Sequence, residues 1–101
     1  MNKNLLKQAQ QLQARLEQAK KDLEVSTVEA SAGGGMVTVV ATGDMTIQSI
    51  TINKEVVDPN EVDMLEDLVL AGVNEALTMA QNMANEKMSA LTGGLNLPGL
   101  S

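Results

Sequence analysis

The chain lacks several residue types on which enzymes and metal sites depend. It contains no cysteine, no histidine and no Phe, Tyr or Trp. Without cysteine there are no disulfides, thiolate metal sites or thiol nucleophiles. Without histidine, the side chain most often used as a general base or metal ligand is missing. We therefore expect no enzyme activity, metal, cofactor or small-molecule substrate.

The missing aromatic rings also limit the hydrophobic core. Each ring buries about 150–250 Å², whereas these 101 residues must build their core from Leu, Val, Ile, Met and Ala. A single domain of this size buries roughly two-thirds of the surface of its unfolded chain. Because a second chain would supply additional buried area, the composition favours an oligomer.

Long apolar runs are also absent. No run approaches the roughly 20 residues that a membrane-spanning helix needs. Lys3 and Lys7 near the N-terminus are not followed by the apolar segment of a secretory signal. We therefore expect a cytoplasmic protein that makes no contact with a membrane.

The net charge of −6 is distributed unevenly along the chain. Residues 1–23 contain five cations and two acidic residues, whereas residues 24–101 contain two cations and eleven acidic residues. Such an asymmetry can mark an interaction surface, although a solvated helix face is the more common explanation of a charge cluster taken alone. The cations of the first segment are Lys3, Lys7, Arg15, Lys20 and Lys21.

Residues 2–23 have the spacing of an amphipathic helix. Their apolar side chains are separated by 4, 3, 4, 3 and 4 residues, a heptad pattern by which one helix packs on another. The intervening Gln and Lys residues are good helix formers. This seam packs either on a partner helix or on its own domain. Its members are Leu5, Ala9, Leu12, Leu16, Ala19 and Leu23.

Residues 24–53 have the composition of three short strands, at about 24–30, 36–42 and 45–53. Their short connections predict an antiparallel meander, with a type II′ turn at Gly43-Asp44. In the third strand, Ile47 is out of phase with Ile50 and Ile52. That change of phase indicates either a bulge or a strand buried on both faces.

Residues 59–91 predict a long second helix. Asp58 can cap it and Pro59 suits its first turn, and residues 92–101 form a tail. The apolar stripe along this second helix is wider than contact with a single partner surface requires. The distal half of the helix has no obvious partner within the chain. We therefore predict an α+β fold of order α-β-β-β-α whose second helix forms the dimer contact. The predicted interface residues are Leu65, Leu68, Val69, Gly72, Val73, Ala76, Ala80 and Met83.

Four segments follow one another in a characteristic order. They are the Gln-rich residues 6–13, the triple glycine and strand start at 33–39, the Met-Leu-Glu-Asp-Leu-Val segment at 64–69, and the Gly-Gly-Leu-Asn-Leu-Pro-Gly segment at 93–99. With these segments, the chain resembles the YbaB/EbfC family of bacterial nucleoid-associated proteins over nearly its whole length. The resemblance implies a homodimer with protruding helices that binds DNA with broad sequence preference. It also implies a role in nucleoid organisation or gene regulation, and association with recombination or replication proteins.

The composition restricts how such a protein would bind DNA. Affinity would come from cations that neutralise phosphates, and no aromatic residue is available to stack on bases. Because a dimer carries twice the −6 charge of one chain, we expect backbone contacts of modest, salt-dependent affinity. The alternative is a scaffold module of the same fold that does not bind DNA. The predicted DNA contacts are Lys3, Lys7, Arg15, Lys20, Lys21 and Lys87.

Overall fold

The computed structural model describes residues 3–92, which form two long helices and a three-stranded sheet. The helices are α1 (Lys3–Val25) and α2 (Val62–Thr92), and a short 3-10 helix, which we did not predict, spans Lys54–Val56. The strands are β1 (Thr27–Ala32), β2 (Val37–Thr42) and β3 (Ile47–Ile52). The predicted α+β class and the order α-β-β-β-α are confirmed. The predicted tail beyond Thr92 lies outside the described residues.

The sheet is an antiparallel meander in the order β1-β2-β3. Along β2, Val37, Val39 and Ala41 point to one face and are fully buried, because side chains of a strand alternate between faces. The helix α2 packs on this face, mainly over β1 and β2. The core therefore lies between α2 and the first two strands.

Small residues on α2 allow the helix to lie close to the sheet. Gly72, Ala76 and Ala80 are all buried, and a Cβ atom added to Gly72 would lie 3.0 Å from Val39 Cγ2. The neighbours of Gly72 are therefore side chains of the chain's own sheet, from Val39, Val37 and Ala32. Such close packing explains how a core without aromatic rings is filled.

Both helices differ from their predicted bounds because of local hydrogen bonds. Glu24 and Val25 continue α1 and do not begin a strand, since the Ser26 N–H and hydroxyl donate to the Asp22 carbonyl at 2.9 and 2.6 Å. Asp58 does not cap α2. It closes a preceding turn instead, because its side chain accepts the Asn60 N–H at 2.9 Å.

The β2–β3 turn also differs from the prediction of a type II′ turn. Gly43 does not have a positive φ, whereas Met45 does, at 69°. The Thr42 N–H donates to the Thr46 carbonyl at 2.8 Å, which closes a loop of three residues. Three-residue hairpin loops place their last residue in the left-handed region, and here that residue is Met45.

The bulge indicated by the isoleucine phase is confirmed in β3. Val40 pairs with Ser49 while Ala41 pairs with Ile47, so Gln48 has no direct partner on β2. The extra residue returns Ile47 to the face occupied by Ile50 and Ile52. All three isoleucines therefore lie on the side of the sheet that faces α2.

The molecule is elongated because the two helices extend beyond the sheet. Its principal dimensions are 70 × 26 × 16 Å and its radius of gyration is 19.4 Å, whereas a compact 100-residue domain has about 13 Å. The distal half of α2, for which we predicted no partner in the chain, packs on α1. We call this protruding antiparallel pair, residues 3–18 and 81–92, the arm.

Candidate nucleic-acid interface

The first helix is fixed to the body of the protein at its C-terminal end. Ala19 and Leu23 are buried, and the Gly43 N–H donates to the carbonyl oxygens of Leu23 and Ser26 at 2.9 and 3.0 Å. A Cβ atom on Gly43 would lie 2.6 Å from Leu23 Cδ2 and 3.0 Å from the Leu23 carbonyl oxygen. The absence of a side chain at Gly43 therefore lets the hairpin hold α1. Towards the arm tip, every residue from 3 to 11 is exposed.

The five cations of α1 are all exposed, but they do not share one face. At about 100° of rotation per residue, Lys3, Lys7 and Lys21 fall within roughly 40° of one another, on the side opposite the apolar seam. Arg15 and Lys20 lie about 100° away, one on each side. We call Lys3, Lys7 and Lys21 the lysine stripe, which is about 27 Å long.

Lys87 occupies a different position from the lysine stripe. Its Nζ lies 3.2 Å from Asp22 Oδ2 and joins α2 to α1 at the base of the arm. The Gln18 side-chain amide donates to Asp22 Oδ1 at 3.0 Å. The hydrogen bond from Gln18, and then that from Lys87, lower the pKa of Asp22 from its ordinary value. Lys87 is thus engaged within the chain.

Arg15 also faces away from the lysine stripe. With Gln8, Gln11 and Leu12, it lines a shallow groove closed on the other side by Leu91 of α2. The structure therefore brings together three of the six predicted DNA contacts on one exposed face, and it separates Arg15, Lys20 and Lys87 from them.

Three of the predicted dimer contacts are already used within the chain. Gly72, Ala76 and Ala80 are buried beneath the chain's own sheet, so a partner cannot reach them without displacing it. The other five are half-buried and retain surface that a partner can contact. These five are Leu65, Leu68, Val69, Val73 and Met83.

An apolar surface that the sequence analysis did not identify lies beside α2. Ile50 and Ile52 are opposite Val39 and Val37 in the sheet, yet they are 44% and 38% exposed because α2 hardly extends over β3. Leu70 on α2 is 59% exposed. The out-of-phase isoleucines were the available signal, but the sequence does not show which strand a helix covers.

The exposed flank of α2 lies on the same side as β3. Val69 and Val73 precede Lys87 and Leu91 by 18 residues, which is five full helical turns. Lys87 and Leu91 face α1, and α1 contacts the β2–β3 turn at Gly43. We group the exposed isoleucines of β3 with this flank of α2 and call the group the β3 notch: Ile50, Ile52, Val69, Leu70 and Val73.

The geometry of residues 3–92 shows no arrangement typical of metal binding. In this part of the chain, no group of three or more Asp or Glu residues is placed to hold an ion. Neither described helix is long and apolar enough to cross a membrane. The two surface features that stand out are the lysine stripe and the β3 notch.

A sequence model of the YbaB/EbfC DNA-binding family matches residues 1–95. The chain belongs to this family. The family resemblance predicted from the four sequence segments is thus confirmed. The name of the YbaB/EbfC family refers to DNA binding and not to a chemical reaction.

Relatives within the YbaB/EbfC family are similar over most of their length. A protein of Acetivibrio thermocellus called nucleoid-associated protein is 57% identical, covering 96% of this chain and 87% of its own. A protein of the same name from Ruminiclostridium cellulolyticum is 55% identical, and the match covers 96% of this chain and 85% of the relative. The crystal structure of the uncharacterized protein HP0035 from Helicobacter pylori has a TM-score of 0.64 at 16% identity, covering 81% of this chain and 93% of its own. That likeness supports the fold.

Proposed function

We propose that this YbaB/EbfC family protein binds duplex DNA as a homodimer and acts in nucleoid organisation or gene regulation. The observation that carries the proposal is the lysine stripe, three exposed cations on one face of a protruding helix. Within residues 3–92, none of the three forms an ion pair. The family description and the relatives called nucleoid-associated proteins support this function and a place in the nucleoid of the cytoplasm.

The proposed contacts are to the DNA backbone. Lysine side chains neutralise phosphates without reading bases, and the chain has no aromatic residue to insert between base pairs. Two stripes in a dimer offer six cations, while the whole dimer is strongly acidic because each chain carries −6. Binding is therefore of modest affinity and weakens steeply with salt.

The dimer is proposed to form on the β3 notch together with the accessible flank of α2. An edge strand that is apolar and uncovered offers its backbone groups and side chains to another chain. Ile50 and Ile52 have neither a charged nor a proline neighbour within β3, so the edge lacks the usual protection against pairing. A second copy would cover Leu70 and complete the burial of Val69 and Val73.

Charge reversal tests the DNA contacts directly. The variant K3E/K7E/K21E should lose DNA affinity on the order of 100-fold at about 50 mM salt, because six phosphate contacts per dimer become repulsive. Fluorescence anisotropy with a labelled duplex measures this loss. The matched control R15E/K20E/K54E makes the same change of net charge at exposed positions outside the stripe. Equal losses in both variants would show that net charge, and not the stripe, governs binding.

The alternative function is a scaffold that binds recombination or replication proteins and not DNA. The acidic net charge and the exposed β3 notch favour this alternative. A wild-type protein that forms dimers but does not retain labelled duplex at about 50 mM salt would decide for the scaffold. Binding that is lost in K3E/K7E/K21E would decide for DNA.

A further inference from the structure

The tip of the arm, residues 3–15 of α1, is cationic and carries exposed apolar side chains. Residues 3–15 of α1 contain three cations, Lys3, Lys7 and Arg15, and no acidic residue. Among them, Leu5 and Leu6 are 62% and 48% exposed. No other element in residues 3–92 covers them. Around its circumference, the arm tip therefore combines exposed apolar side chains with charges of one sign, which is the composition of a contact surface.

The opposite end of the molecule has the complementary character. Residues 55–67 contain six acidic residues and no cation, and Val57, Val62 and Met64 are exposed among them. We call this segment the acidic base. The helix α2 starts at the acidic base and meets α1 at its far end, and its 31 residues span about 46 Å. The arm tip of one chain therefore cannot contact its own acidic base.

We propose that the arm tip docks on the acidic base of a second copy of this chain. Charge complementarity selects this occupant, because pairing two arm tips would oppose Lys3, Lys7 and Arg15 to themselves, and pairing two acidic bases would oppose acids to acids. The contact joins different surfaces on the two copies, so it is heterologous and continues from copy to copy. It is separate from the symmetric pairing proposed at the β3 notch.

This contact also limits when DNA can bind. Lys3 and Lys7 belong both to the arm tip and to the lysine stripe, so a docked acidic base occupies cations that phosphates would otherwise contact. The acidic base thus acts as a competitor for DNA, supplied by a neighbouring copy. This consequence rests on the proposed DNA binding, whereas the docking itself does not.

Sedimentation velocity of complementary charge variants tests the contact. In K3E/K7E the net charge of the arm tip changes from +3 to −1, and in E66K/D67K the net charge of the acidic base changes from −6 to −2. Both substituted acids lie beyond the first helical turn, where the helix dipole does not require them. At about 20 mM salt, where screening is weak, wild type should form species larger than a dimer as concentration rises, and at about 300 mM it should not.

K3E/K7E alone should lose these larger species, and E66K/D67K alone should form fewer of them than wild type. An equimolar mixture of the two should regain them, because it contains an unaltered acidic base on one variant and an unaltered arm tip on the other. A mixture that sediments like the separate variants would overturn the proposal, as would salt-insensitive large species in all samples. Circular dichroism and thermal melts check that both variants are folded. Addition of an unlabelled duplex to wild type should disperse the larger species. If the charge variants behave as expected but DNA does not disperse wild type, the docking stands and the proposed DNA binding at the stripe fails.

Discussion

Replacing Gly43 with alanine should loosen the attachment of α1 to the sheet. The new Cβ would lie 2.6 Å from Leu23 Cδ2 and 3.0 Å from the Leu23 carbonyl oxygen, whereas carbon atoms pack best at about 3.5–4.0 Å. Leu23 is buried, so either its side chain or the whole end of α1 must move by about 1 Å. Overpacking of this kind destabilises by about 1–3 kcal/mol.

The hydrogen bonds of Gly43 add to this effect. Its N–H is shared by the carbonyls of Leu23 and Ser26, and a weakened bond of this type destabilises by about 1 kcal/mol. We therefore expect G43A to lower the free energy of unfolding by about 2–3 kcal/mol, which corresponds to about 10–20 °C in Tm for a domain of this size. Urea denaturation at several protein concentrations measures the change while accounting for oligomerisation.

A double-mutant cycle isolates the clash from other effects of the substitution. L23A removes the atom closest to the new Cβ. In the L23A background, G43A should therefore lower the free energy of unfolding by about 1–2 kcal/mol less than it does in wild type. Two results would contradict this explanation of how α1 is held: additive effects of the two substitutions, or a change of less than about 0.5 kcal/mol in the free energy of unfolding of G43A. Either result would show that Leu23 does not need the space left by the missing side chain of Gly43.

Three other substitutions test the turn, the ion pair and the lysine stripe. Met45 has φ 69°, and asparagine tolerates this left-handed backbone conformation better than methionine does. M45N should therefore raise the free energy of unfolding by about 0.5–1 kcal/mol, measured by thermal melts. A lower Tm in M45N would contradict the idea that the backbone at Met45 is strained. The lowered pKa of Asp22 means that its hydrogen bond from Gln18 and its ion pair with Lys87 stabilise the fold above about pH 3.8. This stabilisation is lost as the pH falls through the lowered value. D22N should therefore reduce the urea midpoint at neutral pH and match wild type at the acid end, and equal reductions at both pH values would refute this. E17K adds an exposed cation beside the lysine stripe, so it should tighten DNA binding and steepen its salt dependence in anisotropy titrations. An unchanged affinity would show that DNA does not contact this face of α1.

The fold was largely predictable because its elements are marked by local patterns. The heptad spacing of residues 5–23 and the alternation of Val37, Val39 and Ala41 identify α1 and β2 through short-range periodicity. The bulge in β3 was also visible, since Ile47 and Ile50 cannot share a face in a regular strand. These predictions from periodicity agreed with the structure, whereas the predicted cap at Asp58 and the predicted type II′ turn at Gly43-Asp44 did not.

Features that depend on tertiary contacts were not predictable in the same way. The glycine at 43 suggested a turn conformation, whereas its role is the close approach of Leu23. The wide stripe of α2 suggested a partner chain, yet Gly72, Ala76 and Ala80 face the chain's own sheet. Sequence periodicity gives the apolar face of a helix, but it does not distinguish a sheet of the same chain from a partner.

The candidate site was predicted as a set of cations, and the structure divides that set. Helical periodicity alone groups Lys3, Lys7 and Lys21, so this part of the site was available from the sequence. The engagement of Lys87 by Asp22 depends on how α1 crosses α2, which no local pattern specifies. The exposure of the β3 isoleucines likewise depends on a tertiary feature, because α2 hardly extends over β3.

The salt dependence of duplex binding tests the central claim most directly. If two lysine stripes neutralise six phosphates, a plot of log K against log salt concentration should be linear with a slope of about −5. At about 50 mM salt, the K3E/K7E/K21E variant should bind on the order of 100-fold more weakly than wild type. A wild-type slope near zero, or no wild-type binding at the lowest salt, would contradict backbone recognition by the arm.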